Sequence, residues 1–356
     1  MILNWHGILA DGQGYSGSAN EFALALDRAG VDVRVMTPSQ KKGTGIDYHN
    51  APPAVQKILD KPYAKGKVGV AYGLPNMFGD LERLEYDTKI GFTMFETNKL
   101  PDGEIWGGPG GGVAQMNRMD RMWTPSQFCK DLFIQSGVTV PIDVINIGIN
   151  TDRFPWLERE DDGVFTFLML GTLTSRKDPG SAISAFINLF KGNPNVRLIM
   201  KTQSGTLGAI SFPYDNIEII DRLSTHEEIL ELYRKADCFV FPTRGEGFGM
   251  PPMEAMSTGI PAIIPKNTGL LEYANEDDCL LIDSNQLIKA DRFPKKWGDV
   301  GYFWQCDFDQ LQEKMLWAYE NQEEVKKMGL AASKRIHRDF NYDRIGNDII
   351  KVLEDL

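Results

Sequence analysis

Two glutamates eight positions apart flank a glycine-rich turn in the second half of the chain. The apolar run that ends at Phe241 predicts a buried strand, residues 245–249 contain three glycines, and Pro251 fits the first turn of a helix. Free backbone amides at the start of such a helix favour an anion, and a diphosphate suits that geometry. Glu246 in the loop and Glu254 in the helix can each accept hydrogen bonds from hydroxyl groups. The alternative is a pair of solvated glutamates beside a helix cap.

A second glycine cluster lies near the amino terminus. Residues 12–17 (GQGYSG) match Gly-x-Gly-x-x-Gly between a predicted strand and a predicted helix, which is the dinucleotide-binding fingerprint. A dinucleotide site also needs an acidic residue at the carboxyl end of the second strand, whereas Asp32 enters that strand, so NAD is disfavoured. Two interpretations remain: a loop whose amides around Gly14, Tyr15 and Ser16 bind an anionic or hydroxylated ligand, or a tight turn without a ligand.

Three polar residues follow a further predicted strand in the first half. Glu96, Thr97 and Asn98 lie where that strand opens at the carboxyl edge of its sheet, and ligands of open α/β sheets gather at this edge. Glu96 is therefore a candidate contact for a ligand. The alternative is a loop carboxylate that caps a helix.

Composition excludes several classes of function. The chain has 356 residues, of which 42% are hydrophobic and 24% charged, so it folds into more than one domain and is not disordered. With 38 basic and 49 acidic residues the net charge is −11, which disfavours general binding to nucleic acid or to an anionic membrane. The four cysteines and four histidines are isolated from one another, so we expect reduced thiols and no protein-bound catalytic metal.

The elements that must position these residues alternate along the chain. Short β-branched runs separated by segments of helical period predict βαβ units and two successive parallel sheets. The strands are predicted at residues 2–4, 31–36, 68–72, 90–95, 121–124 and 142–147, and then at 165–170, 196–200, 217–220, 238–241, 262–264 and 279–282. The charged run after Phe154 marks the boundary, which gives domains at 1–154 and 155–338, with residues 339–356 as a helix that returns to the first domain. We expect no further strand after residue 282.

Two segments are candidates for surface roles. The glycines of residues 107–112 (GGPGGG) predict a mobile loop. Trp106, Phe303 and Trp304 are candidates for an exposed aromatic surface that contacts an acceptor or a membrane; the alternative is that they are ordinary core or surface residues. The amino terminus lacks the pattern of a signal peptide, and no apolar run is long enough to cross a bilayer.

The chain resembles the family 4 retaining glycosyltransferases of the GT-B fold (glycosyl transferases group 1). The residues 246–256 (EGFGMPPMEAM) with Gly259-Ile260-Pro261 closely resemble the Glu-x7-Glu signature of that family. Further likenesses are the glycine loop 14–17, residues 120–126 (DRMWTPS) and residues 148–154 (GINTDRF). The resemblance covers most of the chain, apart from residues 283–306. It implies two Rossmann-like, doubly wound parallel-sheet domains that face a cleft.

The resemblance also implies roles in binding a nucleotide sugar. Glu254 would hold the ribose hydroxyls, and Glu246 would bind the transferred sugar. The amides of residues 247–250, namely Gly247, Phe248, Gly249 and Met250, would lie nearby, and Glu96, Thr97 and Asn98 would lie on the sugar or acceptor side. From its place at the end of a predicted strand, Arg222 is a candidate for the nucleobase, although we favour the alternative of a surface residue.

Residues 171–177 (GTLTSRK) resemble the phosphate-binding stretch of the same family. By this likeness Lys177 would meet the diphosphate next to Gly171, while Thr172 stands where the family usually has an arginine. Either Arg176 replaces that arginine or diphosphate binding is weaker. The alternative for Arg176 and Lys177 is solvated surface charge.

We therefore expect a retaining hexosyl- or pentosyltransferase whose donor is a UDP- or GDP-sugar and which needs no cofactor and no metal. A saccharide, a lipid-linked glycan, a small molecule or a modified nucleic acid could be the acceptor. The alternatives are another sugar-nucleotide enzyme, such as an epimerase, and a non-catalytic nucleotide-sugar binding protein. We expect a cytoplasmic location, with peripheral contact at the inner face of the membrane as an alternative.

Overall fold

The computed structural model describes residues 1–9, 14–36, 51–108, 110–159, 162–203, 212–290 and 293–356; Gly12 and Gln13 of the first glycine cluster lie outside these ranges. The chain forms two compact units. Unit 1 comprises Met1–Asn150, Phe293–Gly301 and Phe340–Leu356, and unit 2 comprises Thr151–Arg292 and Tyr302–Asp339.

Unit 1 is built on a parallel sheet of six strands. Its strands are β1 (Ile2–His6), β2 (Asp32–Val35), β3 (Val68–Tyr72), β4 (Thr88–Phe92), β5 (Arg121–Thr124) and β6 (Ile142–Val144). Its helices are α1 (Tyr15–Arg28), α2 (Pro53–Leu59), α3 (Gly79–Glu82), α4 (Glu104–Gly107), α5 (Gly112–Met116), α6 (Gln127–Gln135) and α12 (Tyr342–Glu354). The strand order is β2-β1-β3-β4-β5-β6, and every residue of β3 is buried because helices cover both faces.

Unit 2 has a second parallel sheet of six strands. Its strands are β7 (Phe165–Leu170), β8 (Val196–Thr202), β9 (Ile217–Asp221), β10 (Cys238–Val240), β11 (Ala262–Pro265) and β12 (Cys279–Ile282). Its helices are α7 (Pro179–Phe190), α8 (His226–Lys235), α9 (Met250–Ser257), α10 (Phe308–Glu320) and α11 (Gln322–Asp339). The order β12-β11-β10-β7-β8-β9 places β7 and β10 next to each other at the centre, so the loops after these two strands open at the same edge.

The predicted fold class is confirmed, including the returning helix. Each of the two parallel sheets has its six strands in the predicted regions. The last helix, α12, packs on α1 within unit 1, where the Phe22 and Tyr342 rings lie 5.5 Å apart edge to face. An exposed ion pair between Arg28 and Asp343 joins the same two helices at 2.7 Å.

The segment after β12 differs from the prediction. Residues 286–305 contain an antiparallel pair, β13 (Gln286–Lys289) and β14 (Tyr302–Gln305), where the sequence predicts no strand. The connection between them, Phe293–Gly301, belongs to unit 1, although the predicted second domain spans 155–338. Aromatic packing explains this, because Phe293 and Trp297 stack with their centroids 5.4 Å apart and Phe293 lies 5.5 Å from Phe95 of unit 1.

Of the two interpretations of Trp106, Phe303 and Trp304, the structure supports core residues for the first two and contradicts an exposed aromatic surface there. Trp106 is fully buried against Phe95, with ring centroids 5.3 Å apart, and Phe303 is also buried, while Trp304 is half-buried. The glycine run beside Trp106 is not an irregular loop over its whole length, because it contributes to α4 and α5. A Cβ on Gly112 would lie 2.1 Å from the Trp106 ring, so glycine is required there for close packing. Within the described residues, the helices are all too short or too polar to cross a bilayer.

Candidate functional site

The loop after β10 holds a buried carboxylate that three side chains contact. Glu246 accepts a hydrogen bond from Lys177 Nζ to Oε1 at 2.5 Å and one from the Thr243 hydroxyl to the same oxygen at 2.8 Å. The Arg176 guanidinium lies 2.9 Å from Oε2. Lys177, Thr243 and Glu246 are all buried, so these charges are paired where water screens them little.

The side chains of Arg176 and Lys177 determine the charge of the Glu246 carboxylate. Burial by itself would raise the pKa of Glu246, but the charges of Arg176 and Lys177, with hydrogen bonds from Lys177 and Thr243, lower it to about 2. Glu246 is therefore ionised at neutral pH. The alternative interpretation of Arg176 and Lys177 as solvated surface charges is wrong, because both contact this carboxylate and Lys177 is buried.

The turn that follows Glu246 contains a position, Gly249, whose backbone conformation and close packing require glycine. Gly249 has φ +94° and caps the start of α9, and a Cβ at this position would lie 2.5 Å from Leu270. The Glu246 amide donates to the Thr268 hydroxyl at 2.9 Å, and the Tyr273 hydroxyl donates to the carbonyl of Gly249. These contacts fix the turn between Gly247 and Gly249, where Phe248 is buried, and they direct the first amides of α9, beginning at Met250, to the carboxyl edge of the sheet.

The loop after β7 supplies the two cations. Gly171 adopts φ +140° at the end of the strand, and the chain then runs past exposed Thr172 to Arg176 and Lys177. Besides Glu246, Arg176 contacts the carbonyl of Gly245 at 2.6 Å, and its own carbonyl accepts the Arg244 amide at 2.7 Å. The two loops are therefore joined through both backbone and side chains.

Glu254 occupies a different environment from Glu246. It is half-buried in α9, and its Oε2 accepts a hydrogen bond from the buried Tyr233 hydroxyl at 3.1 Å. Burial raises the pKa of Glu254 to about 7, and the opposing effects of the Tyr233 hydrogen bond and the Arg153 charge are smaller. One carboxylate is thus strongly ionised, and the other lies near its midpoint at neutral pH.

Arg222, at the end of β9, is engaged with the helix that follows. Its guanidinium forms two hydrogen bonds with Glu228, at 2.8 and 3.1 Å, and Glu228 also completes the capping box of α8 with Thr225. The neighbouring Leu223 is 79% exposed. A role for Arg222 at a nucleobase stays a prediction.

The candidates of the first half lie in unit 1. Gly14 caps α1 with φ +66°, and Tyr15 and Ser16 form its first turn, with the rings of Tyr15 and Tyr72 5.2 Å apart. Burial raises the pKa of Tyr15, and the nearby Tyr72 and Glu96 act in the same direction, so the glycine loop and the Glu96 loop are neighbours.

The loop after β4 divides into an exposed and a buried part. Thr97 is fully buried and its hydroxyl contacts the carbonyls of Val300 at 2.5 Å and Lys99 at 3.0 Å, so it anchors the segment 293–301. Asn98 is exposed and Glu96 is half-buried. Of these three, Thr97 therefore has a structural role within the unit.

Sequence reasoning missed several residues of the site. Thr243 and Thr268 bind Glu246, and Tyr233 binds Glu254, but none of the three carries a recognisable motif signal. In the part of the chain that the structure describes, no group of three His, Cys, Asp or Glu side chains is arranged to hold a metal ion.

Comparisons with known sequences point to sugar transfer. Residues 150–291, most of unit 2, match the family model described as glycosyl transferases group 1. A protein of Sulfolobus islandicus filamentous virus (isolate Iceland/Hveragerdi), assigned by its name to the glycosyltransferases, is 23% identical over 246 residues, which cover 66% of this chain and 67% of that protein. Alpha-monoglucosyldiacylglycerol synthase of Streptococcus pneumoniae is 25% identical over 170 residues; the match spans 43% of this chain and 38% of the synthase.

Comparison with solved structures supports the fold over the full length. Sucrose-phosphate synthase from Thermosynechococcus elongatus superimposes with a TM-score of 0.70 at 14% identity and covers 99% of this chain and 98% of its own. HepE from Anabaena, solved in complex with UDP and glucose, gives a TM-score of 0.68 at 15% identity and covers 100% of both chains. The architecture is thus that of GT-B glycosyltransferases.

Proposed function

We propose that this chain is a retaining glycosyltransferase that moves a sugar from a nucleoside diphosphate sugar to an acceptor hydroxyl. The observation that carries the proposal is the meeting of Glu246, Arg176 and Lys177 on two loops beside the amino terminus of α9. The family match over residues 150–291 and the complex of HepE with UDP and glucose support it. UDP-sugars are the first donors to test, and GDP-sugars the second.

Two cations stabilise the departing nucleoside diphosphate. Arg176 and Lys177 neutralise Glu246 in the structure described here, and their charge can also offset the negative charge that develops on the leaving diphosphate. Arg176 takes the place of the arginine absent at Thr172, because its guanidinium lies at the same carboxylate as Lys177. The amides at the start of α9 add positive potential, so this set of groups can act without a cofactor.

The two glutamates have separate tasks. Glu246, ionised and surrounded by donors, orients the transferred sugar through its hydroxyls. Glu254 accepts hydrogen bonds from the ribose hydroxyls, and such donors favour its ionised form over the protonated form that burial promotes. Tyr233 holds one of its oxygens and so directs the carboxylate.

Unit 1 carries further groups that can bind hydroxyls. The neighbouring loops offer the amides and phenol of Gly14, Tyr15 and Ser16, which suit the nucleotide sugar, and the Glu96 carboxylate, which suits a hydroxyl of the sugar or of the acceptor. An oxygen of the leaving phosphate takes the proton from the acceptor hydroxyl in this scheme.

The test is a donor screen with two matched variants. UDP-glucose, UDP-N-acetylglucosamine and GDP-mannose are incubated with the purified chain and an acceptor panel in EDTA, and the anomeric configuration of the product is read by proton NMR. Glu246→Ala should mainly lower kcat and Glu254→Ala should mainly raise the KM for the donor, whereas Glu276→Ala, at an exposed glutamate, should change neither. An inverted product, or equal loss of nucleotide affinity in both variants, would contradict the proposal.

A further inference from the structure

Arg244 also joins the two loops of the candidate site. Its Nη1 donates to the carbonyl of Ser175 at 2.6 Å, its Nη2 lies 3.0 Å from Asp178 Oδ1, and its Nε donates to Gln305 Oε1 at 2.7 Å. Gln305 in turn donates through Nε2 to Asp178 Oδ2 at 2.7 Å. We call these four residues the Arg244 cluster; its guanidinium is four-fifths buried and its carboxylate is 6% exposed.

Two members of the Arg244 cluster flank Arg176 and Lys177 in the sequence. Ser175 directly precedes Arg176, and Asp178 directly follows Lys177, so Arg244 binds a backbone carbonyl on one side of the pair and a side-chain carboxylate on the other. Arg244 and Gln305 are themselves fixed, because the Trp304 amide of β14 donates to the Arg244 carbonyl at 2.9 Å. The position of the cations therefore depends on the β13–β14 hairpin.

Asp178 adopts a backbone conformation that needs such support. Its φ of 52° and ψ of 53° lie in the left-handed region, which is unfavourable for a residue with a Cβ, and it caps α7 through a bond from the Ser181 amide. A strained residue next to Lys177 keeps its conformation only where its surroundings hold it, and both of its carboxylate oxygens are bound by the cluster.

We infer that Arg244 is a positioning residue for Arg176 and Lys177, with Gln305 as its support. It acts through the loop and not by contact with a substrate. The inference rests on the proposed function for its effect on turnover, but its effect on diphosphate binding can be measured without any reaction. Lysine cannot replace Arg244, because an ammonium group does not reproduce three donors in a planar fork.

The experiment compares affinities for UDP and for uridine by calorimetry. Arg244→Lys should weaken UDP binding about tenfold, the effect of losing one well-placed charged hydrogen bond. Affinity for uridine should not change, because the ribose carboxylate Glu254 lies outside the cluster. Arg197→Lys is the matched control, since Arg197 is also partly buried in unit 2 but contacts Asp162 and Thr166.

Two further measurements separate positioning from a general loss of folding. Gln305→Ala should give a smaller loss of UDP affinity in the same direction, and circular dichroism reports whether either variant is folded. In Arg244→Ala, methylguanidinium should restore part of the UDP affinity. If the folded Arg244→Lys variant keeps the wild-type ratio of UDP to uridine affinity, the inference is overturned. If the wild-type chain binds neither UDP nor GDP, the proposed donor site itself fails.

Discussion

Glu246→Gln should lower the free energy of unfolding of unit 2 by about 3 kcal/mol at pH 7. The carboxylate has a pKa of about 2 in the folded chain against an ordinary value of 4.5. Since each tenfold change in an acid equilibrium is worth about 1.4 kcal/mol, this difference corresponds to roughly 3 kcal/mol. Removing one partner of a buried ion pair independently predicts about 3–5 kcal/mol, because Lys177 and Arg176 would lose the carboxylate that pairs them.

Urea denaturation followed by tryptophan fluorescence measures this difference. Glu276→Gln is the control, because Glu276 pairs with Lys266 at 2.9 Å at an exposed position, where the expected loss is below about 1 kcal/mol. The folded-state pKa of Glu246 is lowered, so its stabilisation is present above pH 4.5 and is lost as the pH falls towards 2. The wild-type and Glu246→Gln curves should therefore converge in acid. Equal stability of both variants at pH 7, or a difference that is independent of pH, would refute the reasoning.

Three further results are expected. Millimolar UDP or GDP should raise the melting temperature in EDTA, because a ligand at a hundredfold excess over its Kd stabilises the folded state by about 2.7 kcal/mol. An unchanged melting temperature with both nucleotides would contradict the donor-site assignment. Tyr233→Phe should raise the pKa of Glu254 above about 7, because it removes a hydrogen bond that lowers it, so nucleotide affinity measured by calorimetry from pH 6 to 9 should have a more alkaline midpoint. Truncation after Asp339 should destabilise unit 1 by at least about 4 kcal/mol, since burial of the Ile345, Ile349 and Leu353 side chains is lost; an unchanged unfolding midpoint would count against this packing argument.

The fold could be predicted from the sequence because its strands are strongly patterned. The run 165–170 is apolar apart from one threonine and is wholly buried, so a central parallel strand follows directly. β13 does not have this property: Gln286–Lys289 is half polar, largely exposed, and pairs with a strand that is distant in the sequence. A local sequence pattern therefore does not reveal this pairing.

The site was predictable to the level of its motif residues. Glu246 was identified by type and spacing, and Lys177 by the resemblance of residues 171–177 to a known family. Thr243, Thr268 and Tyr233 are ordinary hydroxyls whose partners are determined by the tertiary fold. At the glycine run beside Trp106, by contrast, the sequence predicted a mobile loop where the structure has close packing. A run of glycines usually indicates flexibility, yet here Gly112 lacks a side chain because the Trp106 ring occupies that space.

Unit 1 is built from three separate stretches of chain, and the ribosome makes these stretches at different times. Residues 1–150 are made before unit 2, but segment 293–301 is made only after residues 151–292 of unit 2, and segment 340–356 only after the whole of unit 2. At about 5–20 residues per second, roughly 10–40 s separate the synthesis of residue 150 from that of residue 340. During that interval the face of α1 that α12 later covers, including Phe22, is exposed to water. This face of nascent unit 1 therefore stays without its partner helix until α12 is made, and unit 2 can complete its sheet before unit 1 is closed.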